Sequence, residues 1–422
     1  MRGEAPVRMA PGRAWSAVML LTLVGVVNIV DRALPGVLVE PIKHDLQLSD
    51  TAIGLINGFG FLLVYSLLGI PIARLSDRGA YGLVISSCLG LWSVMTLIGA
   101  AAQTGWQLAL TRMGVALGEA GSTPGAHAFV ARNFAPDRRA AALAVLTLSI
   151  PLSHLLSYLG GGLLGAAFGW RATFAFMGIF GLVLGPLVLL LLGRRQPPVA
   201  GVAPPVASRS LKPAFGLLRK PSFLLIMIAT AFIGIGGYAL NVFASAFLMR
   251  VHGLTLAQVS VQYGIAAGAA GIVSVLGAGI VADRLSRSDP RWILWVLTAM
   301  VALLAPCSFA AFRVAGAREA VLLLALGNVV GVAYLPPAIA AIQRLAPPDT
   351  RATASAFLLM FTAIAGGLGP LIAGQISDAL EAELGPRALA VAMLVVPLTH
   401  MIAGLFYFLA SLGFRHDMLA VE

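Results

Sequence analysis

Charge is scarce in this chain. Only 11% of its 422 residues are Asp, Glu, Lys or Arg, while 59% are hydrophobic. A soluble domain carries roughly a quarter charged residues. A chain this poor in charge lacks the means to cover a surface facing water, which excludes a soluble enzyme, a disordered protein and a nucleic-acid binder. Lysine is rarer still, with three against 25 arginines. The arginines are scattered between apolar runs, a membrane-topology pattern rather than a nucleic-acid stripe. There are two cysteines, Cys88 and Cys307, both inside apolar runs. They offer neither a disulfide framework nor a metal site, and no histidine pair has metal spacing. The sequence also lacks a G-x-S-x-G elbow, an H-E-x-x-H pair and a phosphate loop. No segment between apolar runs is large enough for a separate domain. A cofactor is not expected, and neither an enzyme nor an ATP-driven pump is supported.

What the chain has instead is long hydrophobic runs. A helix needs about 20 mostly apolar residues to cross a bilayer. Twelve such segments are present: 15–38, 53–75, 80–101, 106–131, 140–167, 170–193, 222–249, 257–282, 290–312, 319–343, 351–377 and 388–413. The first is too long for a cleaved signal peptide and carries Asn28, Asp31 and Arg32 near its far end. The stretch 194–221, rich in proline and basic residues, reads as a linker between an N-terminal six-helix bundle (1–193) and a C-terminal one (222–422). With the N-terminus placed in the cytoplasm, and residues at span ends assigned to the adjoining side, 20 of the basic residues fall inside, six outside and two, Arg32 and Arg112, deeper within spans. That bias predicts both termini on the cytoplasmic side of a multi-pass protein. The excess of Arg over Lys and the short loops fit a bacterial inner membrane.

The halves echo each other. GIPIARLSDR (69–78) follows the second span and GAGIVADRLSR (277–287) the eighth, placing Asp77 and Asp283 206 residues apart. FAPDRRAAA (134–142) and LAPPDTRATA (345–354) place Arg139 and Arg351 212 apart. Two pairs at nearly one offset indicate a duplicated six-helix unit. Twelve spans, a central linker and this repeated G…DR loop resemble the major facilitator superfamily of secondary transporters. The second copy, from Gly279 through Asp283, Arg284 and Arg287, fits the family loop well. The first has Ala73 for the glycine, and Tyr81 and Gly82 where basic residues are expected.

Ionisable groups inside a span cost roughly 3 kcal/mol each and are functional candidates by default. The first half carries Asp31 and Arg32 in span one, Arg112, Glu119 and His127 in span four, and His154 in span five. In the second half only His400 lies in the middle of a span; its other polar candidates are Asn241, Gln262, Tyr263, Asn328, Tyr334 and Thr362. Span one runs outward and span four inward. At 1.5 Å per residue Asp31 and Arg112 both lie about 10 Å below the outer surface, which predicts an ion pair. Glu119 is two turns deeper on the same face as Arg112, among small residues in GVALGEAG (114–121). Burial raises a carboxyl pKa and a neighbouring guanidinium lowers it. Asp31 and Glu119 are therefore candidate proton carriers, with Arg112 the competing counter-ion; Arg32 either joins them or snorkels outward. Asn28, His127, His154, Asn241, Tyr263, Asn328, Phe357 and Phe361 complete a candidate cavity. Phe232, Phe243 and Phe247 are added as an apolar wall, although core packing is the commoner role of any one phenylalanine. Asp77, Arg78, Arg139, Asp283, Arg284 and Arg351 form a candidate cytoplasmic gate. Pro124, Pro151, Pro336-Pro337 and Gly366-Gly367 mark bends in spans four, five, ten and eleven.

NIVDRALPGVLVEPIKHDLQLSDTAIGLI (28–56) and TRMGVALGEAGSTPGAHAFVARNFAPDRRAAAL (111–143) resemble the spinster-like subgroup of that superfamily. The likeness lies at Asp31, Arg32, Arg112, Gly118, Glu119, Ala120, Asp137 and Arg139, with Ala116 in place of one glycine. It implies proton-coupled export or flipping of an amphipathic lipid such as a lysophospholipid or sphingoid phosphate, and implies a monomer. In that analogy Asp31 and Glu119 take part in proton coupling and Arg112 holds a phosphate or gates the site. The residues by themselves equally allow a proton-coupled transporter of a small soluble organic anion or drug.

Overall fold

The computed structural model describes residues 9–75, 80–193, 216–347 and 350–419. Asp77 and Arg78 of the candidate gate, and most of the 194–221 linker, lie outside the described residues. The described residues form helices and no strand, as a bilayer requires of a chain whose backbone polar groups have no water to bond.

The first span is α1 (Pro11–Val37), continued by the short α2 (Val39–Leu46). The second is α3 (Asp50–Gly54), a π-turn (Leu55–Phe59) and α4 (Gly60–Leu75). The third is α5 (Tyr81–Gly99). The fourth is split into α6 (Gly105–Glu119) and α7 (Ser122–Asn133). α8 (Pro136–Thr147), α9 (Ser149–Leu156), a second π-turn (Ser157–Gly162) and α10 (Leu163–Leu192) carry the fifth and sixth. The chain turns between those two at Gly169, whose φ of +81° suits glycine. The second half begins with α11 (Pro221–His252) and α12 (Leu256–Leu285), followed by α13 (Trp292–Ala311). α14 (Ala317–Ala333) and α15 (Leu335–Leu345) make the tenth span, divided at Tyr334 just before Pro336-Pro337. α16 (Arg351–Leu384) is the eleventh and runs through Gly366-Gly367 without a break. A 3-10 turn (Gly385–Arg387), α17 (Ala388–Ala392) and α18 (Val395–Leu419) complete the chain. Nine continuous stretches of described residues are long and apolar enough to cross a membrane. Two of them, Asp137–Leu192 and Thr353–Met418, each hold two crossings, and the broken fourth span is outside that count.

Packing gathers the described residues into two compact units. The first contains the chain up to Leu34 and from Val64 to Gly193; the second contains Pro35–Leu63 and everything from Gly216 onward. The ends of the first two spans therefore pack with the second half of the chain.

In the first unit α5 is central, with Trp92 and Tyr81 fully buried and Tyr81 edge-on to Phe129. Gly118 brings α6 against α5: a Cβ there would stand 2.7 Å from the backbone N of Trp92, so a larger residue would push Glu119 away from the unit's centre. In the second unit Phe223, Ile226, Leu294, Leu297, Leu358, Tyr407 and Phe414 form one core shared by α11, α13, α16 and α18. Lys220 donates to the carbonyls of Leu345 and Asp417, and Asp417 caps the backbone N–H of Ser222, which ties the start of α11 to the end of α18.

The duplication seen in the sequence is repeated in the bonding. Arg139 Nε donates to the carbonyl of Phe134 (3.1 Å) and Arg351 Nε to that of Ala346 (3.4 Å). All four residues match at the 212-residue offset.

Candidate functional site

Two acid–base pairs lie within the first unit. Asp31 on α1 is 2% exposed. Its carboxylate lies 3.0 and 2.8 Å from Thr96 Oγ1, the hydroxyl donating, and 3.6 Å from Arg112 Nη1. Arg112 is itself 2% exposed. The two depths estimated from helix rise meet in this contact.

The second pair uses the next residue of α1 and a residue two turns further along α6. Arg32 donates from Nε (3.0 Å) and Nη2 (2.8 Å) to Oε2 of Glu119, which is fully buried. Arg32 also reaches Asn28 Oδ1 at 3.5 Å and lies over the ring of Tyr65, 4.3 Å from its centroid. Arg32 thus turns inward rather than snorkelling to the surface. The physical reason is that a buried carboxylate and an aromatic face offset the cost of keeping the guanidinium at membrane depth. Arg112 does not have to serve both acids, since each has its own arginine.

Glu119 is the last residue of α6, where the fourth span breaks before α7. Its Oε1 is buried and has no hydrogen-bond partner among the described residues, as is also true of Asn28 Nδ2. An unmet acceptor of this kind costs about 1–3 kcal/mol, more when charged. The arrangement can therefore take up a proton at Glu119, and release of Arg32 from that acid would leave a cation for an anionic group.

The other candidates are more dispersed. His127 on α7 is exposed and His154 on α9 half-buried. In the second unit Tyr263 is buried, Asn241, Asn328 and Phe357 are half-buried, and Phe361 is 42% exposed. Phe243 and Phe247 are fully buried, the latter edge-on to Phe312, so they are core residues and not part of an apolar wall. His400 is fully buried against Gly236. Among the candidate gate residues, Asp283, Arg284 and Arg351 are exposed, while Arg139 and Arg351 bond the carbonyls that cap the ends of the preceding helices, α7 and α15.

Sequence reading passed over Thr96 and Tyr65, neutral groups on helices whose rotation it does not give. It also passed over a cluster in the second unit. Asp50, at the start of α3, is 1% exposed. It receives Lys43 Nζ (2.7 Å), Ser377 Oγ (2.7 Å) and both Nη atoms of Arg250 (2.6 and 2.8 Å). Arg250 Nε donates to Glu40 (2.7 Å), and Asp378 accepts the backbone N–H groups of Asp50 and Thr51. Gly374 permits this approach, since a Cβ there would lie 2.3 Å from the carbonyl oxygen of Asp50. The bidentate fork between residues 200 apart has no local sequence signal.

Among the described residues, the long apolar crossings, the broken fourth span and the buried paired charges have the architecture of a multi-pass membrane transporter. The sequence model of the Major Facilitator Superfamily matches residues 21–370, and the chain belongs to that superfamily. It is 53% identical over 413 residues to an MFS-type efflux pump of Mycolicibacterium smegmatis, covering 98% of this chain and 96% of the relative. It is 27% identical to the human Protein spinster homolog 1, over 90% of this chain and 76% of that one. Among solved structures it resembles a bacterial homologue of the human lysosomal transporter Spinster in an inward-facing, unoccupied conformation. That likeness has a TM-score of 0.88 at 27% identity and covers 97% of this chain and 99% of the other.

Proposed function

We propose that this transporter is proton-coupled and exports or flips an amphipathic lipid-like anion, of lysophospholipid or sphingoid type, by alternating access. Asp31 and Glu119 carry the protons, and Arg112 and Arg32 are the counter-ions that compete with them. The observation that carries this reading is the state of Glu119: fully buried, one oxygen shared by two N–H groups of Arg32 and the other without a partner among the described residues. Protonation discharges the buried acid and weakens its hold on Arg32, whose guanidinium is then available to an anionic headgroup. The likeness to the Sphingosine-1-phosphate transporter SPNS2 of Danio rerio, 23% identical over 94% of this chain and 84% of that one, supports a lipid substrate. In this reading the halves 1–193 and 222–422 work as two six-helix bundles joined by a cytoplasmic linker, and the monomer lies in a bacterial inner membrane with both termini inside. The residues named for the candidate gate close the cytoplasmic side.

A second reading, proton-coupled extrusion of a small soluble organic anion or drug, is favoured by the 53% identity to a protein described as an efflux pump. Purified protein in liposomes holding a pH-sensitive dye separates the two. Under a substrate gradient, proton flux with a lysophospholipid, lost in Glu119→Gln and in Asp31→Asn, is the expected result. Flux with the soluble anion alone supports the second reading. Substrate movement with no proton signal in any variant refutes coupling.

A further inference from the structure

The two acid–base pairs differ in what can reach them. The side chains of Asp31 and Arg112 are each 3% exposed. In the other pair the Glu119 side chain is fully buried, yet that of Arg32 keeps 23% of its surface open. A solute can therefore approach the guanidinium of Arg32, whereas that of Arg112 is closed off. Tyr65, on α4, stands beside the open guanidinium: Arg32 Cζ lies over its ring, 4.3 Å from the centroid. Arg32, Tyr65 and Glu119 all belong to the first compact unit.

Glu119 and Tyr65 hold this cation by different means. Nε and Nη2 form one edge of the guanidinium fork, and both donate to Oε2 of Glu119, at 3.0 and 2.8 Å. That bond weakens when the acid takes up a proton, because its negative charge is lost. The attraction of a cation to an aromatic face comes from the ring quadrupole and needs no charge on the partner. It therefore persists in both states of Glu119. Asn28 Oδ1, one turn back on α1 and 3.5 Å from Nη2, adds a weak neutral contact. An arginine released from its carboxylate inside a span otherwise swings its flexible stem toward the membrane surface. The ring opposes that swing.

We infer that Tyr65 is a positioning residue for anion recognition. It keeps Arg32 in place once Glu119 is discharged, and so presents the vacated Nε–Nη2 edge to two oxygens of an incoming oxyanion, a phosphate above all. That edge is a bidentate donor pair, which fits two oxygens on one centre and gives a neutral head no such match. The anion is thereby assigned to Arg32 and not to Arg112, whose guanidinium stays sealed with Asp31. This inference rests on the reading above that Arg32 takes an anionic head when Glu119 is protonated, and it names the residue that regulates that step.

The test uses the full chain in proteoliposomes with two probes, lysophosphatidic acid and the soluble anion p-toluenesulfonate. The variants are Tyr65→Phe, Tyr65→Leu and a Tyr65→fluorophenylalanine series carrying one, two or three ring fluorines. Fluorine draws charge from the ring face while leaving its shape nearly unchanged. Tyr65→Phe keeps the ring and is expected to keep the wild-type KM for the lipid. Tyr65→Leu is expected to raise that KM about tenfold with the maximal rate unchanged, and the fluorines to raise it stepwise between those limits. A ring that merely fills space gives no such series. If Tyr65→Leu fails to fold, the fluorinated variants decide alone. A KM indifferent to fluorination overturns the role of Tyr65 and leaves the lipid reading standing. Transport of the sulfonate but not of the lipid overturns the lipid reading, and a stepwise rise in the sulfonate KM then upholds Tyr65. Transport of neither anion overturns both.

Discussion

Arg250 is the residue whose loss should be felt most clearly in the second unit. It bonds buried Asp50 through a bidentate fork and Glu40 through Nε, and so clamps the 35–63 segment to α11. Deleting one partner of a buried ion pair costs about 3–5 kcal/mol. Asp50 would keep Lys43 and Ser377, and the Glu40 side chain is 23% exposed, so Arg250→Ala belongs at the lower end. About 3 kcal/mol corresponds to roughly a hundredfold shift in the equilibrium between docked and undocked segment. Arg250→Lys keeps the charge but loses the planar fork, and about half that cost, roughly a tenfold shift, is expected. The assay is pulsed electron–electron resonance between spin labels at His44 and Glu381, two exposed positions within this unit. Wild type should give one distance population. Arg250→Ala should add a longer one, and Arg250→Lys a smaller amount of the same. If both variants keep the wild-type distribution, the cluster is not what holds the segment and the reasoning fails.

Two further substitutions probe other contacts. Thr96→Val preserves shape but removes the hydroxyl that serves Asp31; a loss of about 1–2 kcal/mol of stability is expected, read by thermal melting of the purified protein. An unchanged melting temperature would show that Asp31 finds another donor. Gly374→Ala sets a methyl against the carbonyl of Asp50, an overpacking worth about 1–3 kcal/mol, and the same melting assay in a Gly271→Ala control, where a Cβ meets open space, distinguishes the clash from a general glycine effect.

The legible parts of this protein were local or periodic. Span length, the Arg bias and the repeated loops are carried by consecutive residues, and the 212-residue echo of Arg139 and Arg351 reappears as the same carbonyl bond in each half. The Asp31–Arg112 contact could be estimated because helix rise converts residue number into depth. The partner of Arg32 could not: helix rotation decides whether a guanidinium meets Glu119 or the lipid interface, and rotation is set by packing such as that of Gly118 on Trp92. Phe243 and Phe247 read the same as Phe357 in sequence, yet two are core and one is half-buried.

Residue order was enough to dictate an all-helical membrane protein, because a bilayer admits few solutions for apolar runs of about 20 residues and taxes every charge within them; its transport function was legible through resemblance to the major facilitator superfamily. Which charges meet is set by how the helices pack in three dimensions. The fork of Arg250 on Asp50 and the contact of Arg32 with Glu119 each depend on the approach of helices distant in the chain, and no local pattern encodes that approach.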